Sequence, residues 1–219
     1  MKKIIGLFCA AVLISAIAHA ETLHQVELIA FARSGAETEE NWDRQYDLHY
    51  PERYVNLQTA DGSDTPFQLL PADAMKLNKE ADAIAGRRNL HVLLHAAWRQ
   101  AVADPAHATA VVISGGKPFG AHHELEGTFT LSVEHFLRAD TNLWLSRFSN
   151  DAADASAKTQ SLPNPPAAIA PSAAENTHYV ATQTVVLQEQ RRLRSGELHY
   201  LDHPRMGLIV LVTPVANSQ

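Results

Sequence analysis

The clearest pattern along this chain is a period of two. Leu125, Gly127, Phe129, Leu131, Val133, His135 and Leu137 fall on one side, and Glu124, Glu126, Thr128, Thr130, Ser132 and Glu134 on the other. Such alternation predicts a strand over 125–137 with one face in a core and one in water, the antiparallel arrangement. Arg138–Thr141 reads as a turn into a second strand over 142–148, so a long hairpin is expected. The opening run LHQVELIAFA predicts a first strand over 24–32. LHVLLHAAW predicts another over 90–98, with Val92, Leu94, Ala96 and Trp98 on one face and His91, Leu93, His95 and Ala97 on the other; helix is the alternative for this run. Ala110–Ser114 is a short apolar strand that Gly115-Gly116-Lys117-Pro118 ends.

One segment changes period. Ala74, Leu77, Ala81, Ile84 and Ala85 form a single apolar stripe on a helix over 71–86. Pro71 suits its first turn and Gly86 its end, and Arg87 and Arg88 complement the negative helix terminus. A second short helix near 38–48, carrying Trp42 and Tyr46, stops at Pro51, and Asp61-Gly62-Ser63 is a loop. Residues 149–177 are rich in Ala, Ser, Asn, Asp and Pro, and read as a flexible insertion with too few apolar groups to order it. Strands resume at 179–187, 197–201 and 208–212 as a meander. The expectation is one α+β domain over 21–219, with a mainly antiparallel sheet of six or seven strands and one or two helices packed on one face.

The N-terminus adds a compartment. Lys2 and Lys3 precede an apolar run from Ile4 to Ile17, and Ala18-His19-Ala20 is a small-x-small site. These are the three regions of a secretory signal peptide over 1–20, cleaved after Ala20, which places the mature chain in the periplasm. The apolar run is short of the ~20 residues of a membrane span. Cleavage removes Cys9, the single cysteine, so disulfide and thiol chemistry are excluded. It also removes two of the 18 basic residues and none of the 24 acids, taking the net charge from −6 to −8. Nucleic acid is a poor partner for so acidic a chain.

Candidate chemistry is sparse. Two ligands four apart suit a helix, but on a strand His91 and His95 share a face about 13 Å apart, too far for one metal. His122-His123 has no nearby third ligand, and HExxH is absent. No metal or cofactor is expected. The serine–glycine pairs at Ser114 and Ser195 lack the nucleophile elbow, and the SxxK match from Ser114 to Lys117 lies at a strand end without its companion motifs. Glu124 and Glu126 read as a solvated edge. What remains is RRLRSGELHYLDHP, residues 191–204. It has a structural reading, in which Ser195-Gly196 turns a hairpin and Arg192 and Arg194 pair with Glu197 and His199. It also has a binding reading, in which Arg191, Arg192, Arg194, Glu197, His199, Tyr200 and His203 meet a ligand. A guanidinium fork suits carboxylates, and Tyr200 or Trp98 would stack on a sugar face.

The 191–204 segment, followed by Gly207-Leu208-Ile209-Val210, resembles the CsiV family of periplasmic peptidoglycan-binding proteins. The runs VELIAFAR (26–33, with Trp42 soon after), LLHAAWRQ (93–100) and ELEGTFTL (124–131) agree with it. The resemblance implies a non-enzymatic role in wall synthesis and cell shape. Its partners would be peptidoglycan and, through it, a class A penicillin-binding protein with that enzyme's outer-membrane lipoprotein activator. It brings no catalytic residues. An envelope scaffold without glycan binding, and a cryptic wall hydrolase, are the competing readings.

Overall fold

The computed structural model describes residues 23–35, 46–57, 66–150, 161–167, 169–170 and 179–215. The expected signal peptide, most of the helix near 38–48 with Trp42, the 61–63 loop and much of the 149–177 insertion lie outside those residues. Of the insertion, 149, 150, 161–167, 169 and 170 are described, and Ile169 is buried.

The fold is α+β, mainly antiparallel, but it has two five-stranded sheets in place of the single sheet expected. In chain order the strands are β1 (Leu23–Arg33), β2 (Tyr54–Val55), β3 (Phe67–Leu69), β4 (Leu90–Ala101), β5 (Ala110–Phe119), β6 (His122–Val133), β7 (Leu137–Ser149), β8 (Val180–Leu193), β9 (Leu198–His203) and β10 (Met206–Pro214). The first sheet runs β3-β4-β1-β10-β9 and the second β2-β5-β6-β7-β8. Of these pairings only β2 with β5 is parallel. The core lies between the sheets: Val26, Leu28 and Ala30 of β1, Trp98 of β4, Leu125, Phe129 and Leu131 of β6, and Leu208, Val210 and Val212 of β10.

β1 is buried along most of its length because both its faces are covered. Its even residues enter the core, while Ile29 and Phe31 meet Ala81 and Ile84 of α1 (Asn78–Ala85), the one α-helix among the described residues, and Leu77 at its N-cap. Burying Leu77 and Ile84 contributes roughly 1.5–3 kcal/mol each. The helix is shorter than the stripe suggested. Residues 72–74 form a 3-10 turn and Met75 is extended. No side chain of the helix itself caps its start. Glu27, reaching up from β1, does so instead: it accepts the N–H groups of Lys76 (2.7 Å) and Leu77 (2.8 Å) and bonds His95 Nε2 (2.8 Å) while only 1% exposed.

Four local expectations are corrected. The 125–137 strand is two strands: β6 ends at Val133, and Glu134-His135-Phe136 turns into β7, with Val133 opposite Leu137. A three-residue turn keeps the parity, so alternation runs through it unbroken. Glu126 is not at a solvated edge; it is 1% exposed, bonded to His122, His123 and Trp144 with Tyr50 nearby. β5 continues through its glycines to Phe119 by a bulge between Gly115 and Pro118. Any side chain at Gly115 would strike the Leu93 carbonyl, so the glycine lets β4 and β5 approach. Lastly, β4 shifts register against β1 between Ala30 and Phe31, so His95 pairs with Ile29 on the helix side and His91 with Ala32 on the other. The two histidines therefore point to opposite faces.

The closing meander is also corrected. β8 is the edge of the second sheet, whereas β9 and β10 belong to the first. Residues 194–197 cross from one sheet to the other, so β8 and β9 do not form the expected hairpin.

Candidate functional site

The crossover disperses the arginines of 191–204. Along β8 successive side chains alternate faces. Arg191 turns toward the seam between the edge strands β8 and β9, pairs with Glu189 (2.9 Å) and donates to the Tyr200 carbonyl on β9 (3.4 Å). Arg192 points to the outer face of the second sheet, its guanidinium carbon 3.0 Å above the Phe136 ring. Arg194 stays in the turn, 3.7 Å from Glu197, and its backbone N–H donates to His199 Nε2 (2.9 Å). Of the pairing foreseen for a hairpin, only Arg194 meets Glu197 and His199, while Arg192 lies on Phe136 instead. His203 accepts from the Arg205 N–H (3.2 Å). Trp98 is in the core: fully buried, edge-on to Phe129 at 5.8 Å, with Nε1 donating to Gln100 Oε1 (2.7 Å). It has no face for a ligand.

Tyr200 belongs to a different cluster. Its ring is 43% exposed and lies parallel to Phe31 (6.3 Å, 5°). Its hydroxyl donates to Asp202 Oδ1 (2.7 Å) and accepts from Arg33. Arg33 also bonds Asp202 (2.7 Å) and the carbonyls of His203 and Met206 (3.1 Å to the latter). The Tyr200 hydrogen bond, with Arg33, holds the Asp202 carboxyl below its ordinary pKa, and burial raises that of Tyr200.

The register builds a more extensive polar surface on the outer face of the second sheet. Thr128 (β6) stands opposite Asn142 (β7), which stands opposite Gln188 (β8); the next row is Thr130–Asp140–Gln190, and the next Ser132–Arg138–Arg192, with Thr128 and Ser132 themselves buried at the floor of this face. Neighbours across strands are about 4.8 Å apart and successive rows about 6.8 Å. A cleft of about 290 Å³ lies over the first two rows, walled by His49 and Pro51. Asp140 Oδ1 is buried there without a hydrogen-bond partner, while Oδ2 bonds Arg138 Nε (3.2 Å). In the third row Arg138 and Arg192 face each other with that one carboxylate beside them. Like charges so placed repel, which suits the row to an incoming anion.

The wall of the cleft is anchored by a buried polar cluster. Tyr50 packs edge-on to Trp144 (5.2 Å, 67°). Glu126 accepts from Trp144 Nε1 (3.4 Å) and the His123 N–H (3.1 Å) and bonds His122 Nδ1 (3.0 Å). Burial, then the Glu126 charge, pushes the Tyr50 pKa far up. Burial lowers that of His123.

Reading the sequence element by element missed these rows, because their members lie on three strands. Alternation flagged Thr128, Thr130 and Ser132 as a polar face, and only the pairing register adds Asn142, Asp140, Gln188 and Gln190. Among the described residues no group of three or more His, Cys, Asp or Glu is arranged to hold a metal ion, and no helix is long and apolar enough to cross a membrane.

Comparison with curated proteins and with solved structures returns no match. A family model described as "Peptidoglycan-binding protein, CsiV" matches residues 2–215, nearly the whole chain. The chain belongs to the CsiV family of peptidoglycan-binding proteins.

Proposed function

We propose that this protein is exported by the 1–20 signal, acts in the periplasm without catalysis, and binds peptidoglycan on the outer face of its second sheet. The observation that carries this reading is the three-row polar face. Hydroxyl and amide side chains in the rows of Thr128 and Thr130 suit the hydroxyl and N-acetyl groups of a glycan strand. The Arg138–Arg192 row, one step of about 6.8 Å away, suits a stem-peptide carboxylate. Such binding supports wall synthesis and cell shape by holding the polymer near a class A penicillin-binding protein and its outer-membrane lipoprotein activator.

The test is co-sedimentation of the mature chain with purified sacculi, run beside an inert periplasmic protein. Enrichment that falls in an Asn142→Ala/Gln188→Ala variant supports the site. Absence of enrichment over the control overturns the reading in favour of a protein scaffold. Release of soluble fragments from labelled sacculi would overturn the non-catalytic assignment.

A further inference from the structure

On the opposite side of the molecule, α1 covers only part of the first sheet. Between its C-terminal end and β9 runs a groove of about 370 Å³. One wall is the Tyr200–Phe31 ledge; the other is formed by Ile84, Arg87 and Asn89. The ledge is held rigid. Phe31 is buried, its ring parallel to that of Tyr200, and the Arg33 guanidinium carbon lies 5.5 Å from its centroid. The Tyr200 hydroxyl is fixed by Asp202 and Arg33. Gly207 lies beneath, and a Cβ there would overlap the Phe31 ring. An aromatic face already locked in place gives up little conformational freedom when a ligand stacks on it. Arg87 is exposed and has no acidic partner among the described residues, whereas Arg33 is fully engaged.

We infer that this groove is a second saccharide site, for an N-acetylated sugar bearing a carboxylate. The pyranose lies on the Tyr200 ring, the amide meets Asn89, and the carboxylate meets Arg87. This rests on the reading of the protein as peptidoglycan-binding, and it deepens it. The groove and the polar rows occupy opposite outer faces of the sandwich, so a chain with both filled bridges two segments of the polymer. Two modest sites on one rigid body then hold a multivalent polymer far more tightly than either alone.

The test is an NMR titration of the mature chain with a soluble disaccharide-tetrapeptide, following backbone amides. Two separate sets of shifts are expected, one around Asn89, Tyr200 and Ile209 and one around Thr130, Asp140 and Gln190. Arg87→Ala, at an exposed helix end, is expected to weaken the first set about tenfold and to leave the second unchanged. Tyr200→Ala, which removes the stacking face, is expected to weaken the first set and to leave the second unchanged. Shifts confined to the polar rows, or a groove response that Arg87→Ala does not alter, would overturn the second site while leaving the first standing. Shifts at neither site, with no sacculus binding, would overturn both.

Discussion

Glu27→Gln tests how the helix is held to the sheet. The carboxylate is 1% exposed and accepts from Lys76 N–H, Leu77 N–H and the His95 ring at 2.7–2.8 Å. Glutamine has nearly the same shape but one acceptor fewer. If its oxygen keeps Leu77 and His95, its NH₂ confronts the Lys76 N–H, donor against donor. If it flips, Leu77 N–H is the group left unpaired. A hydrogen bond to a charged group is worth about 1.5–3 kcal/mol, and a buried unpaired donor costs about 1–3. A neutral amide is cheaper to bury than a carboxylate, which returns part of this. The net loss expected is about 3 kcal/mol, or a fall in Tm of roughly 6–12 °C for a chain of this size. Thermal unfolding followed by circular dichroism gives the global number. Native-state hydrogen exchange gives the local one, since the Lys76 and Leu77 amides should lose protection first. A Tm within about 2 °C of the parent, with both amides still protected, would refute the capping role.

Trp98→Ala should cost about 3–5 kcal/mol and leave sacculus binding per folded molecule unchanged; denaturant melts and co-sedimentation check the two halves. Gly207→Ala forces a methyl into the Phe31 ring, with an expected loss of about 1–3 kcal/mol and a changed near-ultraviolet spectrum from Tyr200. Arg192→Ala and Arg194→Ala should each cost no more than about 1 kcal/mol, because one stacks on an exposed ring and the other makes an exposed ion pair; only the first should reduce sacculus retention. Burial depresses the His123 pKa, so below the ordinary value of about 6.5 the unfolded chain takes up the proton first. The contribution of His123 is therefore complete above that pH and is lost as the pH falls toward its folded value. Denaturant titrations from pH 7.5 downward should show a shallower loss in His123→Gln than in the parent.

Much of the fold was legible because strands declare themselves by alternation. β1, β4, β6 and the helical stripe of Leu77, Ala81 and Ile84 are all visible in the chain. What alternation does not reveal is a change of parity or its absence. The three-residue turn at 134–136 preserves parity and so hides a hairpin inside an apparent single strand. The bulge in β4 changes parity and so separates His91 from His95, which the uninterrupted pattern placed together. Sheet membership was likewise invisible: nothing in 180–214 distinguishes a meander from a crossover, because the pairing partners of β8 and β10 lie on β7 and β1. The burial of Glu126 escaped for the same reason, since Trp144 and Tyr50, which lie beside it, come from other parts of the chain.

The candidate site follows a rule of strand geometry. Adjacent residues on a strand point apart, so a dense motif carried on one is scattered in space. Arg191 goes to the seam, Arg192 to the outer face, and Arg194 into the turn. A surface of like chemistry in a sheet is assembled instead across strands, from residues that share parity and register. Thr130, Asp140 and Gln190 form such a row, and none draws attention where it stands in the chain. The arginine segment therefore gives Arg192 to the polar face and spends Arg191 on closing the sandwich. Mutating all three arginines together would confuse a binding residue with a structural one. Taken singly they separate: loss of Arg191 should loosen the β8–β9 seam, and loss of Arg192 should weaken retention on the wall without loosening the fold.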